Sequence, residues 1–132
     1  MLAIVLDQDG ADDLRSLEAS EGISGIWWGT KVEAMSALGR ARRRREVGES
    51  DLAEMWKRIE AMTAAASEVE PLEEVRAEAC RLVRVHDLRA ADAFQLAAAL
   101  TWADRHPSDV GFICLDRRLC RAAAREGFNV LP

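Results

Sequence analysis

The sequence predicts an α/β fold, a three-layer sandwich in which a small, mainly parallel sheet is covered by helices. Three observations lead there. Short β-rich apolar runs alternate with segments of helical periodicity, the order that builds parallel sheets through helical crossovers. The helical segments outweigh the strands, so the sheet is small. The composition, 49% hydrophobic and 31% charged over 132 residues, suits one soluble globular domain spanning residues 1–132. Area scaling leaves about two thirds of the extended chain's surface buried, enough for a core.

Met1–Leu6 is an apolar run that fits a strand or a helix equally at this length. Asp7-Gln8-Asp9-Gly10 reads as a turn, and Ala11–Ala19 carries Leu14 and Leu17 at helical spacing. Ile23–Trp28 follows Gly22 as a short buried strand. Thr30-Lys31-Val32-Glu33 has the form of a capping box and opens a helix with Val32, Met35 and Leu38 at helical intervals, ending near Gly48. Ser50 or Asp51 caps the next helix, which sets Leu52, Met55, Trp56, Ile59 and Met62 on one face. Val69–Leu72 is an extended link, and Pro71 starts a helix carrying Val75, Ala79, Leu82 and Val83.

Ala91–Arg105 is an Ala-rich helix able to pack closely. Val110–Leu115 is an apolar strand ending at Asp116. Arg117–Arg125 is helical, Gly127 ends it as a C′ residue, and Phe128–Leu131 closes the fold as a last strand.

Several classes are excluded. A net charge of −5, from 18 Lys+Arg against 23 Asp+Glu, does not announce a nucleic-acid binder. The longest apolar runs fall far short of a bilayer span, and Met1–Leu6 lacks the basic flank and cleavage site of a secretory signal. Cys80, Cys114 and Cys120 are odd in number and lie among apolar residues, which suits buried or half-buried thiols in a reducing, cytoplasmic setting. Neither they nor His86 and His106 have zinc-ligand spacing.

Three acids from distant parts of the chain fall where ligands collect in parallel sheets, beyond the carboxyl ends of strands or at the helix starts nearby. Glu33 is in the first turn after the Ile23–Trp28 strand, Asp92 in the first turn of the Ala-rich helix, and Asp116 at the end of Phe112-Ile113-Cys114-Leu115. Converging carboxylates repel one another and are tolerated chiefly around a hard divalent cation, which can orient water and stabilise charge in phosphodiester cleavage. Each acid also has a purely structural explanation as a helix cap or first-turn acid.

Trp28-Gly29-Thr30-Lys31-Val32-Glu33, then Leu88-Arg89-Ala90-Ala91-Asp92-Ala93-Phe94-Gln95-Leu96-Ala97, then Phe112-Ile113-Cys114-Leu115-Asp116-Arg117-Arg118-Leu119 together resemble a PIN domain, most closely the VapC-type toxins of bacterial toxin–antitoxin pairs. That resemblance implies a parallel sheet of about five strands between helices. It also implies metal-dependent endonucleolytic cleavage of RNA, with Glu33, Asp92 and Asp116 as catalytic ligands of Mg²⁺ or Mn²⁺. The implied partners are an antitoxin whose tail covers the acidic pocket and a second copy of the chain in a homodimer. Gln95 stands where many relatives have His, and Cys114 where many have Thr or Ser.

A larger departure concerns the family's first strand, which ends in a metal-binding Asp. Val5-Leu6-Asp7 has that form, yet Gln8-Asp9-Gly10-Ala11-Asp12-Asp13-Leu14 resembles a turn and helix found later in the family. Two readings stand. Either Met1–Leu6 is the tail of a helix and the first strand and its Asp are missing, or Met1–Leu6 fills the central strand position and Asp7 serves as the ligand. The first leaves sheet edges open in the core, which is costly.

Arg117 and Arg118, beside Asp116, are placed for a scissile phosphate. The run Arg40–Arg45, with Arg43 and Arg44 at its centre, suits either a phosphate-contacting patch or a solvated helix end. Trp27 and Trp28 are adjacent and face opposite ways in a strand, one to the core and the other free to stack on a base. Trp56 and Trp102 suit helix packing or an interface. The leading expectation is a metal-dependent toxin ribonuclease. The alternatives are a catalytically inactive PIN-like module that binds antitoxin or RNA, and an unrelated α/β domain whose acids only cap helices.

Overall fold

The computed structural model describes residues 25–131. Met1–Leu6, Asp7 and the Ala11–Ala19 helix lie outside the described residues, so neither reading of the first strand is decided. In order, the chain forms β1 (Gly25–Trp27), α1 (Thr30–Arg43), α2 (Glu49–Ala65), β2 (Ser67–Val69), α3 (Glu73–Val85) and α4 (Ala90–Trp102). A 3₁₀ turn at Pro107–Asp109 then leads to β3 (Gly111–Ile113), α5 (Arg117–Arg125) and β4 (Asn129–Leu131).

The fold is α/β with small parallel sheets. β1 pairs with β2 in the register Gly25↔Ser67 to Trp27↔Val69, and β3 pairs with β4 from Gly111↔Asn129 to Ile113↔Leu131. Both pairings need helical crossovers, supplied by α1–α2 and by α5. Among the described residues the sheet is therefore two separate pairs. β3 is shorter than its apolar run in the sequence: Val110, Cys114 and Leu115 flank it without joining its ladder.

α4 is the central helix. Ala93 and every residue from Gln95 to Leu100 are buried, the pattern of a helix covered on all sides. Its alanines let α3 approach closely, and α4 also packs against β1 and α5. Phe112 and Leu119 complete the larger core, with Phe112 and Phe128 rings 5.3 Å apart. A second core joins α1 and α2 through Ile26, Ala34, Leu38, Leu52 and Ile59.

Several expectations are corrected. α1 buries the i, i+4 row Thr30, Ala34 and Leu38, so Val32 is 68% exposed. α1 stops at Arg43, with Arg45 in the left-handed region (φ 60°), well before Gly48. Gly48 rather than Ser50 or Asp51 precedes α2 as its cap residue. Trp56 is turned partly outward while Thr63 takes a buried place, its hydroxyl donating to the Ile59 carbonyl. Pro71 precedes the cap residue Leu72 rather than starting α3. Of the three thiols, Cys80 is exposed.

Candidate active site

Each of the three acids sits where a helix begins. Glu33 is in the first turn of α1, but not as half of a capping box: the cap residue is Gly29, and the Thr30 hydroxyl is buried without a hydrogen-bond partner. Gly29 is required by close approach, since a Cβ there would meet Trp27 Nε1 at 2.5 Å and Glu33 Oε1 at 3.4 Å. The Trp27 ring stacks on Phe94 of α4, centroids 5.4 Å apart and planes 3° from parallel. That stack ties the start of α1 to the start of α4. Glu33 is thereby brought to Gln95, whose side-chain amide donates to Glu33 Oε2.

Asp92 lies one helical turn before Gln95 in α4. Its carboxylate accepts a backbone hydrogen bond from Arg89, the cap residue of that helix. Asp116 caps α5: its Oδ1 accepts from the backbone N–H groups of Arg118 (2.8 Å) and Leu119 (3.0 Å). Cys114 shapes this turn, its sulfur accepting from Asp116 N–H at 3.2 Å, while the Cys120 thiol donates to the Cys114 carbonyl at 3.0 Å. A thiol thus does here what a hydroxyl does in an ST-turn.

The electrostatics tie the acids together. Burial is the main reason the Glu33 carboxyl titrates above the usual carboxylate range, and the Asp92 charge adds to it against the Gln95 hydrogen bond. Burial likewise raises Asp92, with the Asp116 charge adding to it and Arg89 and Arg118 opposing. Asp92 is thus coupled to both other acids. Like charges gathered in a half-buried place are the condition that a divalent cation relieves.

The donor chemistry fits Mg²⁺ or Mn²⁺, being all carboxylate oxygen. Mg²⁺ commonly takes one or two carboxylates and keeps several waters. The pairs whose charges act on each other here are Glu33 with Asp92 and Asp92 with Asp116. Two buried polar atoms have no hydrogen-bond partner, Thr30 Oγ1 and Gln95 Oε1, the second belonging to the amide that holds Glu33. Among the described residues no three His, Cys, Asp or Glu side chains are close enough to enclose an ion by themselves.

Of the basic residues singled out in the sequence, Arg118 is close enough to act on Asp92, and Arg117 is exposed at the first position of α5. Arg43 and Arg44 are not at this site. They end α1 ten residues beyond Glu33, about 15 Å along the helix axis. Arg44 there faces Glu46 at 3.9 Å. Trp27 is the core member of the tryptophan pair and Trp28 the exposed one, at 54%. Among the described residues, no helix is long and apolar enough to cross a membrane.

The α/β fold with small parallel sheets agrees with the PIN-like fold that the sequence resembles. Over 100 residues the chain is 39% identical to Ribonuclease VapC45 and to Ribonuclease VapC49, from two strains of Mycobacterium tuberculosis. Each alignment covers 76% of this chain and 67% of the relative. No family model matches the chain, and no solved structure does. The chain belongs to the VapC ribonuclease family.

Proposed function

We propose that this protein is the toxin of a type II toxin–antitoxin pair, an endoribonuclease that cuts RNA phosphodiesters with a carboxylate-held Mg²⁺ or Mn²⁺. The observation that carries the reading is the placement of Glu33, Asp92 and Asp116 at three helix starts, with Glu33 and Asp92 raised in proton affinity by burial and by the charge of a neighbouring acid. Family membership supports RNA as the substrate, because both relatives are named ribonucleases.

Glu33, Asp92 and Asp116 would hold the ion, which when bound supplies charge stabilisation at the phosphate and a more acidic water. The protein's own part is positional. Gln95 fixes the Glu33 carboxylate from the centre of α4, and the backbone N–H groups of α5 fix Asp116 through Oδ1. Arg118 stands by Asp92 to meet a phosphate oxygen, with Arg117 beside it. The partner is an antitoxin that covers the acidic pocket, the setting is the cytoplasm, and the toxin acts as a homodimer.

The test uses purified protein, structured RNA and Mn²⁺. Cleavage is expected, with loss of cleavage in Asp92→Asn. Titrating Mn²⁺ should raise the melting temperature of the wild type and leave that of Asp92→Asn unchanged. An RNA that stays intact with Mn²⁺ would leave a catalytically inactive binding module as the better account.

A further inference from the structure

A cleft opens between the end of α3 and the outer face of α5, lined by His86, Asp87, Arg118, Arg121, Ala122 and Arg125. Its volume is about 90 Å³, room for several water molecules. Three guanidinium groups enter it from one helix at positions i, i+3 and i+7, which share a face. They form a basic stripe on a protein whose net charge is −5.

The acids near this stripe leave most of its charge unspent. Glu126, the neighbour of Arg125, is taken up by Arg81 (2.5 Å) and by His86 Nε2 (2.6 Å). Among the described residues, Asp87 pairs only with Arg118, at 3.7 Å in an exposed pair that contributes little. Among the described residues, Arg121 and Arg125 form no ion pair. Three positive charges therefore face one exposed carboxylate.

The stripe begins at the carboxylate row. Asp116 caps α5 and Arg118 acts on Asp92. From Arg118 to Arg125 the helix rises about 10 Å, a length that spans two or three phosphates of one strand. We infer that Arg118, Arg121 and Arg125 form a track for the phosphates flanking the scissile bond, leading single-stranded RNA away from the acids. The inference deepens the ribonuclease reading above and rests on it. Arg121 and Arg125 contact backbone only, so they add affinity without sequence preference.

The test reads binding apart from cleavage. A fluorescently labelled single-stranded RNA of about twelve nucleotides is titrated with full-length protein in EDTA, across a range of salt, by anisotropy. Arg121→Gln/Arg125→Gln is expected to weaken binding roughly tenfold or more and to make the salt slope shallower by about 1.4, two phosphates at about 0.7 each. Arg121→Lys/Arg125→Lys should recover most of the slope, since the charge is kept. Melting temperatures of both variants should match the wild type, because both side chains are exposed.

An unchanged slope in the Gln double variant overturns the track. So does a wild type that binds no RNA, or one whose cleft instead holds an acidic peptide that RNA cannot displace. Asp92→Asn separates this inference from the ribonuclease reading. If wild type and Asp92→Asn bind RNA alike with an arginine-dependent slope while Mn²⁺ gives no cleavage, the track stands and the nuclease fails. If cleavage occurs with an arginine-independent slope, the nuclease stands and the track fails.

Discussion

Asp116 carries two roles that one pair of substitutions pulls apart. As the cap of α5 it accepts two backbone N–H bonds through Oδ1, and as a member of the acidic row it adds negative charge next to Asp92. Asp116→Ala removes both. Losing a cap of this kind costs about 1 kcal/mol, within a range of roughly 0.5–2. For a domain of this size that lowers the melting temperature by about 3–6 °C. Asp116→Asn keeps the cap, because an amide oxygen accepts the same two bonds and Asn caps as well as Asp.

Its lost charge forgoes about 0.3–1 kcal/mol at the helix N-terminus, and relief of the repulsion on Asp92 offsets part of that. The net change should stay within about 0.5 kcal/mol, so the cap term dominates stability. Activity should not follow stability. Both variants should lose Mn²⁺-dependent cleavage by at least about 10–100-fold, the loss typical of disturbing even the outer partners of a metal. Thermal melting and a cleavage time course are run on the same preparations. An Asp116→Asn protein that melts as low as Asp116→Ala would refute the capping account. One that melts normally and cleaves at the wild-type rate would reduce Asp116 to a cap alone.

Further outcomes concern pH and packing. Glu33 and Asp92 hold protons more tightly folded than unfolded, so metal-free stability should fall as pH rises from the ordinary carboxylate range up to their raised values. Denaturant melts in EDTA should show that fall in the wild type and a smaller one in Asp92→Asn. Glu126 has the opposite sign: although burial opposes it, hydrogen bonds from Arg81 and His86 hold its carboxyl below the usual range. Glu126→Gln should therefore cost about 1–3 kcal/mol at neutral pH, a cost that vanishes as pH falls through the lowered value; urea melts at two pH values check it. Gly127→Ala should cost about 1–2 kcal/mol by thermal melting, since φ is +97° there and the new Cβ would stand 3.2 Å from Pro107 Cγ. Phe112→Ala, at the centre of the larger core, should cost about 3–5 kcal/mol and leave little folded protein at 37 °C.

Much of the fold was legible locally. α5 runs over the residues its signals predicted, because Asp116 at one end and Gly127 at the other are start and stop signals that need no distant partner. The three acids were legible for a similar reason: each lies at a helix start that follows a turn. Where sequence reading failed, the deciding contact was remote. Thr30 and Glu33 have capping-box spacing, but Gln95, 62 positions away, takes the Glu33 carboxylate. Val32 fits a helical period as well as Ala34 does, and only the position of α2 decides which of them is covered.

The sequence by itself determined the order of elements, the boundaries of α5 set by Asp116 and Gly127, and which acids stand at helix starts. These depend on backbone groups within a few residues of the side chains that satisfy them. Tertiary structure alone decided which acids feel one another and which arginines join them. It left Arg43 and Arg44 at the far end of α1 and placed Arg118 by Asp92, with Arg121 and Arg125 following along the same face. Coulomb interactions depend on distance through space, and α4 sets those distances by anchoring the other elements against its alanine faces.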